Sequence, residues 1–436
     1  MTDTAQSSHS RSLVRGEQET PLLAKRRKAE KRFKALGLTA IIIALALLAI
    51  LFYSIVSKGY SAFAYTSMKL SVTFSEQVID PKGTREEAAL RGASYGSILR
   101  DALRKEFPDV SSRSDLRKLF SLPSKGAALE LRDMVLDNPD LIGQTVTVEI
   151  TANDDLDMFN KGFIKRDVAE ADRRIKDQEI AWFDQLDQAG GIELKFNSRF
   201  FTSGDSREPE LAGIWGAMVG SFYTLLTTFL ISFPVGVMSA IYLEEFAPKN
   251  KFTDIIEVNI NNLAAVPSIV FGLLGLALFL NVAHLPRSAP VVGGLTLALM
   301  TLPTIIIAAR ASIRAVPDSI RNAALGLGAS KQQMVFHHVL PLSMPGIMTG
   351  TIIGLSQALG ETAPLLMIGM VAFIVDIPGG FNDPATVLPV QVFLWADSPE
   401  RAFVEKTSGA ILVLLGFLVI MNAMAVVLRK KFERRW

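Results

Sequence analysis

Long apolar runs alternate with polar segments along this chain. The first run covers residues 36–56, and five more lie at 212–243, 260–282, 291–309, 346–375 and 409–428. Each reaches the roughly 20 residues that an α-helix needs to cross a hydrocarbon core of about 30 Å. A buried helix of a soluble protein could account for one such run, but not for five in succession that are rich in glycine and proline. The pattern therefore predicts an α-helical polytopic membrane protein with six transmembrane helices.

The segment between the first and second predicted spans has a different pattern. Apolar residues alternate with polar ones at 70–74, 146–150 and 192–196, as in strands with one buried face. Helices are predicted at 86–107, at 115–138 with a break at Pro123, and at 167–188. Residues 57–210 should thus form an α+β domain of about 150 residues, a usual size for one core. Charges of both signs are mixed along these segments, which indicates solvated surface, and no catalytic constellation is evident.

Basic residues determine the predicted orientation. They precede the first run as Lys25, Arg26, Arg27, Lys28, Lys31, Arg32 and Lys34, and recur in the 310–338 loop and after residue 428. Because positive charge is retained on the cytoplasmic side, residues 1–34 and 429–436 are predicted to be cytoplasmic tails. Residues 35–56 are then a transmembrane anchor and 57–210 an extracytoplasmic domain between the first and second spans. A cleaved signal peptide is the alternative, but its apolar region would be shorter, and no A-x-A site follows.

Composition supports a chain with both a membrane part and a soluble part. Its 436 residues are 49% hydrophobic and 20% charged, and the mean hydropathy is +0.31. With no cysteine, the chain has no disulfide, no thiolate metal site and no cysteine nucleophile. The net charge of +2 is near neutral and excludes little.

Prolines and two ionisable residues mark a candidate pathway in the later spans. Prolines interrupt four of these spans, at Pro234, Pro267, Pro303 and Pro364. Each proline removes a backbone hydrogen bond, which a membrane tolerates where protein or a water-filled cavity satisfies the freed group. Glu361 lies inside the 346–375 run beside Thr362, and Arg310 ends the preceding run. Since ionisable groups in membrane segments are costly, Glu361 and Arg310 are candidate pathway residues and a candidate ion pair, although an interfacial arginine is also ordinary.

Residues 317–341 form a polar, moderately basic segment between two spans. Residues 320–324 are compatible with a helix, Gly326 and Gly328 allow a turn, and a second short helix with one apolar side should follow around residues 334–339. The adjacent His337 and His338 cannot face the same way on a helix, so a metal site is not predicted.

The 317–341 segment resembles the EAA loop of ABC-transporter permeases, whose pattern is EAA, three residues, G, nine residues, then I-x-L-P. Ala323, Ala324, Gly328, Leu340 and Pro341 fall in register, whereas Asn322 replaces the family's Glu and His338 its Ile. The flanking segments AIYLEEFAP, NLAAVPSIVFGLLGLALF, LALMTLPTIIIAAR, IRAVP and GETAPLL are similar to PstA-type permeases of the bacterial phosphate ABC importer. They are spread over most of residues 211–428, the predicted permease domain. The related PstC type shares much of this pattern, but GETAPLL and the extended N-terminal domain favour PstA.

The resemblance implies a transport subunit rather than an enzyme, located in the bacterial inner membrane with both termini in the cytoplasm. Its implied partners are a second permease subunit of PstC type, an ATPase dimer of PstB type and an external phosphate-binding protein of PstS type. No nucleic acid and no bound cofactor are implied. ATP would bind the partner ATPase, since this chain has no G-x-x-x-x-G-K-[ST] loop.

The charges in the spans and the resemblance together give candidate site residues, the pathway from the charges and the ATPase contact from the resemblance. The translocation pathway would include Arg310, Glu361 and Thr362, with a resting Arg310–Glu361 ion pair that phosphate displaces. The surface that the ATPase grips would be formed by Asn322, Ala323, Ala324 and Gly328.

Two alternatives remain open from the sequence. The chain could carry another oxyanion, such as sulfate, molybdate or phosphonate, because the EAA loop does not specify a cargo. A membrane-bound sensor with an outer domain is the second alternative, but one or two spans would suffice for it.

Overall fold

The computed structural model describes residues 21–432, and the remaining parts of the two predicted tails, residues 1–20 and 433–436, lie outside this range. The chain divides into two compact units, residues 1–57 and 58–436. In the first unit, helix α1 (Pro21–Gly59) carries the predicted anchor. Its apolar stretch is long enough to cross a membrane and is exposed on all sides. Such a helix is suited to lipid.

A three-stranded antiparallel sheet begins the second unit. Its strands are β1 (Ala64–Thr73), β2 (Thr145–Thr151) and β3 (Ile192–Phe196), in the order β2-β1-β3. The register pairs Leu70 with Val148 and Met68 with Ile192. Alternate β1 side chains face a core built with helices, and the three predicted strands are confirmed.

Eight short helices surround this sheet. They are α2 (Glu76–Ile79), α3 (Glu87–Gly92), α4 (Tyr95–Glu106), α5 (Arg113–Leu119), α6 (Ala127–Asp137), α7 (Asp154–Asn160), α8 (Asp177–Gln188) and α9 (Ser198–Thr202). The break at Pro123 is confirmed. The helix predicted at 86–107 is divided at Ala93, which is extended, and the one predicted at 167–188 begins only at Asp177. There Glu179 accepts a hydrogen bond from the backbone N–H of Lys176. This interaction caps the N-terminus of α8, so the helix starts later than predicted.

The membrane part consists of α10 to α19. Their bounds are α10 (Trp215–Ile241), α11 (Lys251–Ala264), α12 (Ser268–Gly275), α13 (Pro290–Arg314), α14 (Asp318–Gly326), α15 (Lys331–Met334), α16 (Leu340–Gly360), α17 (Ala363–Met367), α18 (Leu388–Ala396) and α19 (Ala402–Phe432). π-helical segments extend α10 over Tyr242–Phe246 and α12 over Leu276–Val282, and a third, Val335–Val339, joins α15 to α16. Within residues 21–432, five helices are long and apolar enough to span a membrane, or six if one bent pair counts as a span.

Two predicted spans differ from straight helices. The run at 260–282 belongs to the bent pair of α11 and α12, whose axes differ by 102° around Pro267, because that proline has no N–H to continue the helix. The run predicted at 346–375 is wrong at both ends. Its helix α16 begins at Leu340 and stops at Gly360, after which Glu361 is extended.

Small residues let the spanning helices approach closely. Helix α10 packs along α13, α13 along α16, and α16 along α19. At Gly294 of α13 an added Cβ would lie 2.7 Å from the carbonyl oxygen of Thr224, so only glycine permits this distance between α10 and α13.

Candidate functional site

Two interrupted helices meet inside the membrane part. Helix α12 follows the bend at Pro267, and α17 follows the break at Glu361 and Thr362. They pack so tightly that a Cβ added to Gly272 would lie 2.7 Å from the Cα of Pro364. Backbone that leaves the helical pattern at membrane depth is tolerated where protein or a water-filled passage surrounds it. The contact of α12 with α17 is therefore the structural candidate for a passage.

Glu361 and Thr362 lie on this break as half-buried residues. The amide N–H of Glu361 still donates to the carbonyl of Ala358 over 3.2 Å, while the carbonyl of Thr362 accepts from Leu365 and Leu366. Within the part of the chain that the structure describes, the Glu361 carboxylate has no ion pair.

Arg310 does not pair with Glu361, which corrects the expectation from sequence. Its Nε donates to Glu244 Oε1 over 2.6 Å, and its Nη2 lies 2.5 Å from Glu257 Oε1. The side chains of Arg310 and Glu244 are each 12% exposed, and that of Glu257 is 36% exposed. The physical reason is proximity, since Glu244 ends α10 and Glu257 lies on α11, and both helices pack on α13. Arg310 therefore holds two carboxylates from two other helices.

The neighbouring acidic residue binds a different element. Glu245 Oε1 accepts from Arg321 Nη2 over 2.9 Å, and the Glu245 side chain is 7% exposed. Arg321, on α14, also donates to the carbonyls of Ile313 and Val316 at the end of α13. Consecutive carboxylates at the π-helical end of α10 thus connect this helix to α13 through Glu244 and to α14 through Glu245.

The sequence contains a local signal for this network. The two glutamates stand in AIYLEEFAP at the end of an apolar run, and basic residues close the run at 291–309. Charges of opposite sign at the ends of neighbouring spans indicate ion pairs, but which helix supplies each partner is a matter of packing. Glu257, Arg314 and Arg321 were missed for this reason.

The 317–341 segment forms helix α14, a turn and the start of a second helix, as predicted. Gly328 has φ +86°, a conformation that favours glycine, and Ser330 with Gln333 forms a capping box for α15. Met334 and Val339 face inward, as the predicted apolar side requires. Among the predicted contact residues, Asn322, Ala323 and Gly328 are exposed.

Ala324 does not belong to the exposed surface. It is 6% exposed and packs in the same core as Met334 and Val339, because on a helix it lies on the face that turns toward the spans. Large apolar side chains occupy the exposed surface instead, with Leu327 90% exposed and Leu325 and Phe336 about half exposed. This apolar exposure was missed, because a lone leucine in a polar loop carries no signal.

A second charged network lies where the sheet domain meets the start of α19. Lys161 Nζ lies 2.7 Å from Asp157 and 2.8 Å from Glu405, and all three side chains are buried. Glu210, just before α10, accepts a hydrogen bond from Ser124 over 2.6 Å. Burial raises the pKa of Glu210 to about 7 despite that hydrogen bond, which lowers it.

Within residues 21–432, no group of three or more histidine or acidic side chains is placed to hold a metal ion.

Comparisons with known proteins cover both halves of the chain. Residues 232–436 match the family "Binding-protein-dependent transport system inner membrane component", and residues 21–170 match a domain of unknown function, DUF3333. The "Probable ABC transporter permease protein YqgI" of Bacillus subtilis is 36% identical over 178 residues, which are 41% of this chain and 59% of that relative.

Two further relatives are named as phosphate permeases. The "Phosphate transport system permease protein PstA" of Haemophilus influenzae is 30% identical over 224 residues, 51% of this chain and 77% of the relative. The protein of the same name from Mycobacterium leprae is 30% identical over 225 residues, 51% of this chain and 72% of the relative. The matched stretches correspond to about half of this chain, and the transport-family match at residues 232–436 includes α12, α17 and the 317–341 segment.

Proposed function

This chain belongs to the PstA-type ABC transporter permeases, and on that premise we propose that it is the membrane-spanning permease subunit of an ATP-driven phosphate importer. The observation that carries the proposal is the similarity to relatives named PstA over about half of the chain, together with the family match at residues 232–436, which contains the broken helices and the 317–341 segment. The chain is a transport component and not an enzyme.

The proposed assembly follows from the family. Residues 317–341 and both tails lie in the cytoplasm, and the domain at residues 57–210 lies outside. A second permease subunit of PstC type completes the pathway, an ATPase dimer of PstB type contacts α14, and a phosphate-binding protein of PstS type delivers the anion. ATP binds to the ATPase subunits.

The charge network suggests how the motion of α14 reaches the pathway. Since Glu244 and Glu245 are consecutive, a shift of α14 transmitted through Arg321 displaces the end of α10 and with it the carboxylate that holds Arg310. The proposed coupling surface is formed by Asn322, Ala323 and Gly328, together with the exposed apolar residues beside them.

Arg310 is proposed to bind phosphate near the inner end of the pathway. A guanidinium binds phosphate oxygens through paired N–H donors, as it binds carboxylates. Because Arg310 is engaged by Glu244 and Glu257, phosphate must replace one of them, and the more exposed Glu257 is the easier to displace. Glu361 and Thr362 remain proposed pathway residues because they lie on the break beside α12. The unpaired Glu361 carboxylate would repel an anion that lingers there.

Phosphate uptake by membrane vesicles that contain the whole complex tests this proposal. Arg310→Ala should lower uptake by about tenfold or more, the loss expected when a charged hydrogen-bond donor is removed. Arg314→Ala is the matched control, since Arg314 also pairs with Glu244 but is 68% exposed, and it should retain most uptake. Co-purification of the ATPase would establish that each variant assembles.

Normal uptake by Arg310→Ala would refute its pathway role. The cargo is tested in the same vesicles by competition. Suppression of labelled phosphate uptake by excess phosphate, with little effect of sulfate, molybdate or phosphonate, supports phosphate. Stronger suppression by sulfate, molybdate or phosphonate than by phosphate would identify that competing anion as the cargo.

A further inference from the structure

One side of helix α16 is uncovered over most of its length. The exposed residues of this side are Gly346, Ile353, Gln357 and Gly360. Their spacing of seven, four and three residues keeps them on one face of a helix. The other sides of α16 pack against α10, α13 and α19. Gln357 is the polar side chain of the uncovered face, and polar side chains in membrane spans are costly unless they face protein or water.

Gln357 lies near the middle of the membrane part. A Cβ added to Gly346 would lie 2.8 Å from the Cβ of Ser312, and one added to Gly354 would lie 3.9 Å from the Cβ of Thr301. Helices α13 and α16 therefore run antiparallel, and Gln357, three residues after Gly354, is close to the level of Thr301. Thr301 is near the midpoint of α13, a helix long enough to span a membrane. The Gln357 side chain is thus far from both membrane surfaces.

The carboxamide of Gln357 has no partner in the described part of the chain. Within residues 21–432 it makes no hydrogen bond, whereas the adjacent Ser356 donates to Oδ1 of Asn422 on α19 over 3.0 Å. A carboxamide has two N–H donors and an acceptor oxygen, and none of them can be satisfied by hydrocarbon. The uncovered face of α16 is therefore suited to contact with water and polar solutes, not with acyl chains.

The uncovered face of α16 connects two elements of the candidate pathway. One turn after Gln357 the helix ends, and Glu361 begins the break that leads to the contact of α17 with α12. In the other direction, a Cβ added to Gly350 would meet Ala308 of α13, which is two residues before Arg310. The face thus runs from the break to the level of Arg310, and Gln357 lies between these two points.

We propose that Gln357 lines the translocation pathway and hydrogen-bonds phosphate between the break at Glu361 and Arg310. This assignment rests on the proposed import of phosphate. The carboxamide donates N–H bonds to phosphate oxygens, and its own oxygen accepts from the P–OH group that phosphate retains at neutral pH. Because it is uncharged, it binds the anion more weakly than a guanidinium does. The anion can therefore leave Gln357 and move on to Arg310, as passage along a pathway requires.

Cysteine accessibility tests the proposal, because the chain has no cysteine of its own. Vesicles that contain the complete complex with Gln357→Cys are treated, during ATP hydrolysis, with a negatively charged methanethiosulfonate on both sides of the membrane. Mass spectrometry of this chain measures the modification, which requires a thiolate and therefore water at the thiol. Gln357→Cys should react, and millimolar phosphate should slow the reaction several-fold. Ile420→Cys is the matched control, since Ile420 is 66% exposed within the apolar run of α19, and it should not react.

Phosphate uptake by two further variants gives a second measurement. Gln357→Leu should lower uptake several-fold, as expected for the loss of a neutral hydrogen bond, and Gln357→Glu should abolish it, because a fixed negative charge repels the anion. Co-purification of the ATPase would establish that each variant assembles.

The proposal is overturned if Gln357→Cys does not react, if no oxyanion slows its reaction, or if Gln357→Glu takes up phosphate normally. A reaction that sulfate slows and phosphate does not would support Gln357 as a lining residue and refute phosphate as the cargo.

Discussion

Replacing Glu210 by glutamine is expected to make the stability of this protein less dependent on pH. Glu210 lies in the turn Pro209–Leu211 between the sheet domain and α10, and it is 5% exposed. Ser124 donates a hydrogen bond to Oε1, while Oε2 is buried without a partner. Charges also act on it from neighbouring elements, with Glu208 and Asp154 disfavouring its ionisation and Lys406 of α19 favouring it. The protonated carboxyl is therefore the form that suits this site.

The magnitude follows from the pKa. Burial raises the pKa of Glu210 from 4.5 to about 7. The folded state thus holds the proton more tightly than the unfolded state, so the stabilisation is fully present below pH 4.5 and is lost as the pH rises through about 7. At 1.36 kcal/mol per pKa unit, ionised Glu210 costs at most about 3 kcal/mol above pH 7.

Glutamine resembles the protonated carboxyl in shape but cannot ionise, so Glu210→Gln should remove this cost. The assay is thermal melting of the purified complex between pH 5 and pH 8.5. The variant should match the wild type near pH 5 and melt higher at pH 8.5, by up to about 6–12 °C at 2–4 °C per kcal/mol for a domain of 150–250 residues. Glu87→Gln is the control, because Glu87 forms an exposed ion pair with Arg91 on α3 and does not act on Glu210, and it should show no such gain. A difference between Glu210→Gln and wild type that is the same at every pH would refute the reasoning.

Two further predictions concern transport. Gly272→Ala should separate α12 from α17, because its Cβ would lie 2.7 Å from the Cα of Pro364, and phosphate uptake in vesicles should fall several-fold. Gly416→Ala is the control, since its Cβ meets nothing within 4 Å. Equal uptake by both variants would contradict the role of the broken helices. Gly328→Arg should abolish uptake while the complex still hydrolyses ATP. Gly143→Arg controls for the backbone strain of a non-glycine residue, because Gly143 in the sheet domain has a comparable φ of +87°. Tightly coupled uptake by Gly328→Arg would exclude this turn from the coupling surface.

The sequence by itself determined which parts of this protein enter the membrane and which do not. Hydropathy over about 20 residues depends only on neighbours along the chain, so the runs at 212–243, 291–309 and 409–428 correspond to helices α10, α13 and α19. The same local reasoning located the three strands and the helix, turn and second helix of residues 317–341. Gly328 was recognisable as a turn because its backbone conformation is a local property.

Only the tertiary structure decided which side chains meet. Arg310 pairs with Glu244, 66 residues earlier, and with Glu257 rather than Glu361, because α10 and α11 pack against α13 at that level. Ala324 faces inward for the same reason, since the side of α14 that is covered depends on the helices beneath it. The prolines predicted interruptions at Pro267 and Pro364, but the 102° size of the bend between α11 and α12 and the end of α16 at Gly360 were decided by packing, because a proline in an apolar run is compatible with a small kink or a full break. Hydropathy places a segment in the membrane, but packing between helices determines its partners.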